Sequence, residues 1–122
     1  MSLKSHLEGM LAIKGVTGAA IVSTDGFIVE GVSRADHDLS LIGGLVASSL
    51  ASSKVLAGLM GEDEIRQTMI EYERGPVLMT PLDSHGVAGY VAVLTLDTAT
   101  TLGRVRFQLR KMLPELAGEL TS

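Results

Sequence analysis

The chain contains no cysteine among its 122 residues. That excludes disulfide staples, thiolate catalysis and cysteine-ligated zinc together, and it is compatible with a reducing cytoplasm. Tryptophan is absent too, and the aromatic side chains are limited to Phe27, Tyr72, Tyr90 and Phe107. Single-strand nucleic-acid binders stack bases on aromatic rings, so little of that platform is available. Positive charge is scarce: ten Lys and Arg stand against fourteen Asp and Glu, a net charge of −4. Affinity for phosphate backbones comes from neutralising cations, so nucleic acid is not an expected partner. No Gly-x-x-x-x-Gly-Lys run followed by Ser or Thr occurs, and with it goes the loop whose amides and lysine surround a nucleotide phosphate. The start of the chain has no apolar core behind a basic stretch, so it does not read as a secretory signal. Met1-Ser2-Leu3 reads equally as native sequence or as an added start.

What remains is apolar. Hydrophobic residues make up 46% of the chain and charged residues 20%, the composition of a folded domain. The length suits one domain, residues 1–122, with a core that needs no metal or disulfide.

Most of that apolar character sits in one segment. Residues 39–60 contain a single charge, Lys54, among Leu, Ile, Val, Met, Ala, Gly and Ser, and their length and spacing predict a long helix. A helix without a polar face is buried on more than one side. In a small domain the sheet covers one side and a second subunit is the natural cover for the other. At about 100° per residue, Ile42, Leu45, Val46, Ser49, Leu56 and Met60 form a broad face suited to a sheet. Leu41, Ser48, Val55 and Leu59 form a ridge beside it, suited to a partner helix. Gly43, Ala47, Ala51, Lys54 and Gly58 fill the remaining arc. Membrane insertion is the weaker reading, because serines and glycines dilute the run below the roughly 20 predominantly apolar residues a span needs. An ordinary core helix in a monomer is the competing one.

Around this helix the chain alternates helix and antiparallel strand. Leu3, Leu7, Met10 and Leu11 make an amphipathic first helix that Gly15 is placed to stop. Residues 19–23 and 27–32 read as a hairpin across Asp25-Gly26, because glycine accepts the positive φ of the turn. Asp36 or Asp38 is the expected cap of the long helix. Residues 65–73 predict an edge strand of mixed polarity, with Thr68, Ile70 and Tyr72 on one face and Gln67, Met69 and Glu71 on the other. Arg74-Gly75-Pro76 turns it into residues 77–82, and residues 83–86 turn that into 87–96. The last strand is the most continuous apolar run and is expected at the sheet centre. A final helix over residues 99–120 carries an apolar stripe of Leu102, Val105, Leu109, Met112, Leu116 and Leu120. Pro114 predicts a kink or an early end near Leu113.

The segment from Gly15 to Gly26, Gly-Val-Thr-Gly-Ala-Ala-Ile-Val-Ser-Thr-Asp-Gly, followed by a strand, an Ala/Gly/Ser-rich helix and a three-strand meander, resembles the roadblock domain of the dynein light-chain type. The resemblance implies an α+β sandwich of order αββαβββα, similar to profilin and longin folds, with the long helix on one face of a five-stranded antiparallel sheet and the terminal helices on the other. It implies a homodimer that pairs the third strand across a two-fold axis and packs the long helices together. Here that means Leu41, Ser48, Val55 and Leu59 with Arg66, Thr68, Ile70 and Tyr72. The same pairing would remove an unblocked strand edge, a liability in its own right. In prokaryotes the resemblance implies regulation of a small Ras-like GTPase, often in polarity or motility, with Ala47, Ala51 and Lys54 expected near the contact.

Candidates for chemistry are few. Asp36-His37-Asp38 has metal-binding atoms, but three consecutive residues at a helix start point in different directions. Ser84-His85 falls in a tight turn, where Asp83, Ser84 and Gly86 are ordinary turn residues. His6 is expected to be an exposed helix residue. Arg34, Arg74, Arg104, Arg106 and Arg110 are nominal arginine fingers, none set apart from a solubilising charge. The expectation is a non-enzymatic, cytoplasmic interaction module with no cofactor, no metal and no membrane insertion. A scaffold without GTPase contact and a small-molecule sensor of profilin-like fold are the alternatives.

Overall fold

The structure, a computed structural model, describes residues 2–34, 39–97 and 102–121. Nine elements follow in order: helix α1 (Leu3–Leu11), strands β1 (Val16–Ser23) and β2 (Ile28–Ser33), helix α2 (Leu39–Leu59), strands β3 (Thr68–Tyr72) and β4 (Gly75–Pro81), the short 3-10 turn Asp83–His85, strand β5 (Tyr90–Leu96) and helix α3 (Leu102–Thr121). The αββαβββα order is as expected. All strand pairs are antiparallel, in the spatial order β2-β1-β5-β4-β3. The most apolar strand therefore lies at the centre, and β3 forms an edge.

Each helix boundary has a local cause. Ser2 caps α1 by accepting a hydrogen bond from the Ser5 amide at 3.1 Å, satisfying one of the amides that a helix start leaves free. The far end of α2 closes on Gly61 at φ 76°. There the Glu62 amide donates to Ala57 and the Gly61 amide to Gly58, which uses carbonyls the helix itself leaves unpaired. In the first hairpin the Gly26 amide donates to Ser23 and the Ser23 amide to Phe27, and Gly26 has φ 94°.

Alternation along the strands divides the core. Ala92, Leu94 and Leu96 of β5 face α1 and α3, where they meet Leu7, Met10, Val105, Leu109 and Leu116. Val91 and Val93 face the other way, with Val22 and Met79, toward Val46 and Leu50 of α2. The layers match expectation: one long helix on one face, the terminal helices on the other.

Several details differ from the sequence reading. β1 begins at Val16, so Gly18 lies within the strand at a register shift against β5. A side chain there would meet the Thr95 hydroxyl at 2.8 Å. β3 begins only at Thr68, because Ile65 turns inward beneath α2. β5 begins at Tyr90: residues 87–89 complete the turn, with the Val87 amide donating to Leu82 and Gly89 at φ 89°. α3 does not end at Leu113 but runs through Pro114 to Thr121. Leu113, Leu116 and Ala117 are buried on its inner side while Pro114 is exposed, so packing on both sides of the proline holds the helix together. His6 is half-buried, its Nε2 3.7 Å from Glu119 of α3, because α1 packs against α3. The proposed caps Asp36 and Asp38, the Asp36-His37-Asp38 cluster and Ala99 lie outside the described residues.

Two adjacent glycines of α2 behave differently. A Cβ on Gly43 would come within 2.6 Å of the Gly26 carbonyl oxygen, whereas one on Gly44 meets nothing within 4 Å. Both gain about 1 kcal/mol of helix propensity on changing to alanine; only Gly43 also suffers overpacking, about 1–3 kcal/mol. Gly44→Ala should raise the thermal midpoint and Gly43→Ala should fall below it by a margin set by the clash. Equal midpoints for the two variants would mean that α2 does not rest on the β1–β2 turn.

Candidate functional surface

α2 spans 21 residues, yet among the described residues only Val46 and Leu50 are its buried side chains in the cluster beneath it. Its inner surface is completed by half-buried Ile42, Ala47, Ser49, Ser53 and Ala57. The outer side is apolar and uncovered. Leu41 is 67% exposed, Leu45 68% and Leu59 82%, with Val55, Leu56 and Met60 also exposed. Leu45, Leu56 and Met60 therefore correct the sequence reading, which placed them on the sheet. Their places are taken by the small residues Gly43, Ala47 and Ala57, which let the helix backbone lie close to the sheet.

The expected interface residues fall into two groups. Leu41, Ser48, Val55 and Leu59 all stand on the outer side of α2 and are exposed. Leu41, Leu45, Ser48, Ser52, Val55 and Leu59 follow one another in alternating steps of four and three residues, the spacing of a helix-pairing seam. On β3, Ile70 packs into the α2-side cluster, and Thr68 and Tyr72 share its face by alternation. Thr68 is half-buried, Tyr72 is exposed and Arg66 lies exposed before the strand. The opposite face of β3 is tied to α3: Arg106 Nε donates to Gln67 Oε1 at 2.9 Å, and its Nη2 approaches Met69 Sδ at 3.9 Å. Among the described residues β3 pairs only with β4, so its outer edge is open.

The expected partner residues separate. Ala47 is half-buried beside Gly26, while Ala51 and Lys54 are exposed. Lys54 borders an open groove between the end of α2, residues 62–67, the 3-10 turn and α3. Charged Glu62, Asp63, Asp83, Arg66 and Arg110 line that groove together with Ile65 and Leu109. It is an open trough of mixed polarity and not the enclosed apolar pocket that would favour a small-molecule sensor. Ser84 is exposed and His85 half-buried in its wall. Arg34, one nominal finger, donates to the Leu11 carbonyl at 2.9 Å.

Residues Leu41–Leu59 are long and apolar enough to cross a membrane by length and composition. Lifting α2 into a bilayer would uncover Val22, Met79, Val91 and Val93, which it now buries. That removal from protein contact opposes insertion.

The Roadblock/LC7 domain family matches residues 3–92. The chain belongs to that family. An uncharacterized protein of Methanocaldococcus jannaschii, MJ0310, is 28% identical over 98 residues, which cover 80% of this chain and 82% of the relative. Among solved structures, Myxococcus xanthus MglB superposes with a TM-score of 0.87 at 22% identity, covering 98% of this chain and 94% of MglB. A structure described as MglB with tetrameric arrangement gives a TM-score of 0.85 at 23% identity, covering 96% and 86%. At such identities the likeness establishes the roadblock fold. The hairpin from Gly15 to Gly26 lies inside the matched segment, whereas α3 lies beyond it.

The two sides of α2 predict opposite mutational costs. Under dilute conditions Leu50→Ala should cost about 2–5 kcal/mol, the usual range for a buried leucine, and Leu45→Ala should stay within about 0.5 kcal/mol of the parent. Urea unfolding measures both. A large loss at Leu45 with little at Leu50 would reverse the orientation of the helix.

Proposed function

We propose that this roadblock domain is a homodimeric, non-enzymatic docking module whose two long helices pack against each other and present a platform to a small Ras-like GTPase. The observation that carries the dimer is the outer seam of α2. Its members are symmetric about the level of residue 50: Leu41 is as far from that level as Leu59, Leu45 as Val55, and Ser48 as Ser52. Two copies laid antiparallel about a two-fold axis thus match leucine to leucine and leucine to valine at the ends, and serine to serine in the middle. A two-fold interface requires such self-complementarity, and the small central serines permit a close crossing. The open edge of β3, five residues without proline, is a second surface that the same axis would pair.

A fold shared with an MglB that has a tetrameric arrangement supports self-association. The GTPase reading rests on membership of the roadblock family and on the arc of small residues flanking the seam. Ala51, Gly58 and Gly44 are exposed there beside Lys54, leaving room for a partner backbone. Regulation would act by positioning the GTPase's own elements, in the cytoplasm, without a cofactor.

Leu59→Glu would put an uncompensated charge in the seam. A penalty of about 3 kcal/mol or more weakens association by a factor of roughly 100, so light scattering should find monomer or aggregate where the parent is dimeric. An unchanged dimer would place the seam elsewhere. Equilibrium mixing with a Ras-like GTPase from the same genome, in both nucleotide states, should give a complex in at least one state. Complex formation in neither would remove the GTPase assignment.

A further inference from the structure

We propose that the outer face of α3 is a second docking surface, one that adsorbs peripherally to an anionic lipid surface. Arg104, Arg106, Arg110 and Lys111 supply four of the ten basic residues of an acidic chain. No acidic residue lies between Asp97 and Glu115. All four cations are exposed, and among the described residues none lies within ion-pair distance of a carboxylate. Arg106 is hydrogen-bonded to neutral Gln67, and Lys111 sits 4.3 Å above the ring of Phe107.

The placement works against the helix itself. The first turn of α3 contains no acid and does contain Arg104, where the positive end of the helix dipole disfavours a cation. Helix stability does not account for Arg104 at that position. Phe107 is 54% exposed at its centre, with Gly103 and Pro114 along the same outer side. Arg104 and Lys111 share the outer face with the exposed ring, while Arg106 and Arg110 lie on the flank toward the groove that Glu62, Asp63 and Asp83 also line. Cations beside an exposed aromatic ring suit a surface that is negatively charged at its outside and apolar just beneath. A single-stranded nucleic acid needs several rings on which to stack successive bases, and among the described residues of this helix Phe107 is the only aromatic. α3 also lies on the opposite side of the sheet from α2, so this contact leaves the α2 seam free and does not depend on its occupant.

The test is sedimentation of the full chain with vesicles of phosphatidylcholine alone and of phosphatidylcholine mixed with phosphatidylserine. Binding is expected only to the mixed vesicles, falling as salt is raised. Each cation removed should lower the partition coefficient about fivefold at low salt, so Arg104→Gln with Lys111→Gln should lower it about 25-fold. These side chains are exposed, and unfolding by urea checks that the double variant remains folded. Phe107→Ala should weaken binding while preserving its salt dependence. Equal binding to both vesicle types, binding unaffected by the double variant, or retention on heparin without vesicle binding would each overturn the lipid assignment.

Discussion

A central five-stranded sheet with apolar residues on both faces needs a cover on each, and the two covers here are unequal. On the α1 and α3 side the buried cluster includes side chains from both helices and three strands. On the α2 side a single helix lies across the sheet with small residues against it, and its Leu41, Leu45, Leu56 and Leu59 point outward. Burying apolar surface is the dominant favourable contribution to folding and association, so a half-covered helix of this kind makes its second side available for assembly. The seam on α2 depends on that imbalance.

Close backbone approach produces the imbalance. Gly43 sits against the carbonyl of Gly26, while Ala47 and Ala57 occupy inner positions where larger side chains would hold the helix away. With much of the inner side assigned to small residues and Ile42, Val46 and Leu50 as its large anchors among the described residues, Leu41, Leu45, Val55, Leu56 and Leu59 are displaced to the outer side. One choice of residues thus tightens the fold and creates the seam.

The central place of β5, the edge place of β3 and the hairpin were legible in the sequence because each carries a local signal, whereas the layers followed from the roadblock resemblance. Alternation marked β3 as half-polar and β5 as fully apolar, and Asp25-Gly26 marked the turn. The rotation of α2 was not legible, since a helix apolar all round carries no phase in its hydrophobic pattern. Leu45, Leu56 and Met60 were accordingly assigned to the wrong side, and the informative residues were the glycines and alanines. Pro114 was read as a kink or an early end, and the early end does not occur. A local helix breaker is overridden where buried Leu113 and Leu116 anchor the turns on either side. Of the candidate surface, the ridge Leu41, Ser48, Val55 and Leu59 and the edge of β3 were named from sequence and are exposed or open. Ala47 is drawn partly inward by its neighbour Gly26.

The most direct measurement of the seam uses the absence of native cysteine. Cysteines introduced by Leu41→Cys and Leu59→Cys in the same chain should oxidise to a covalent dimer, because antiparallel helices crossing at the level of residue 50 bring each Cys of one copy beside the other Cys of its mate. Leu41→Cys alone should remain uncrosslinked, since its symmetry mate would stand about 27 Å away at 1.5 Å per residue. Rapid crosslinking by the single variant, or none by the double, would contradict the arrangement.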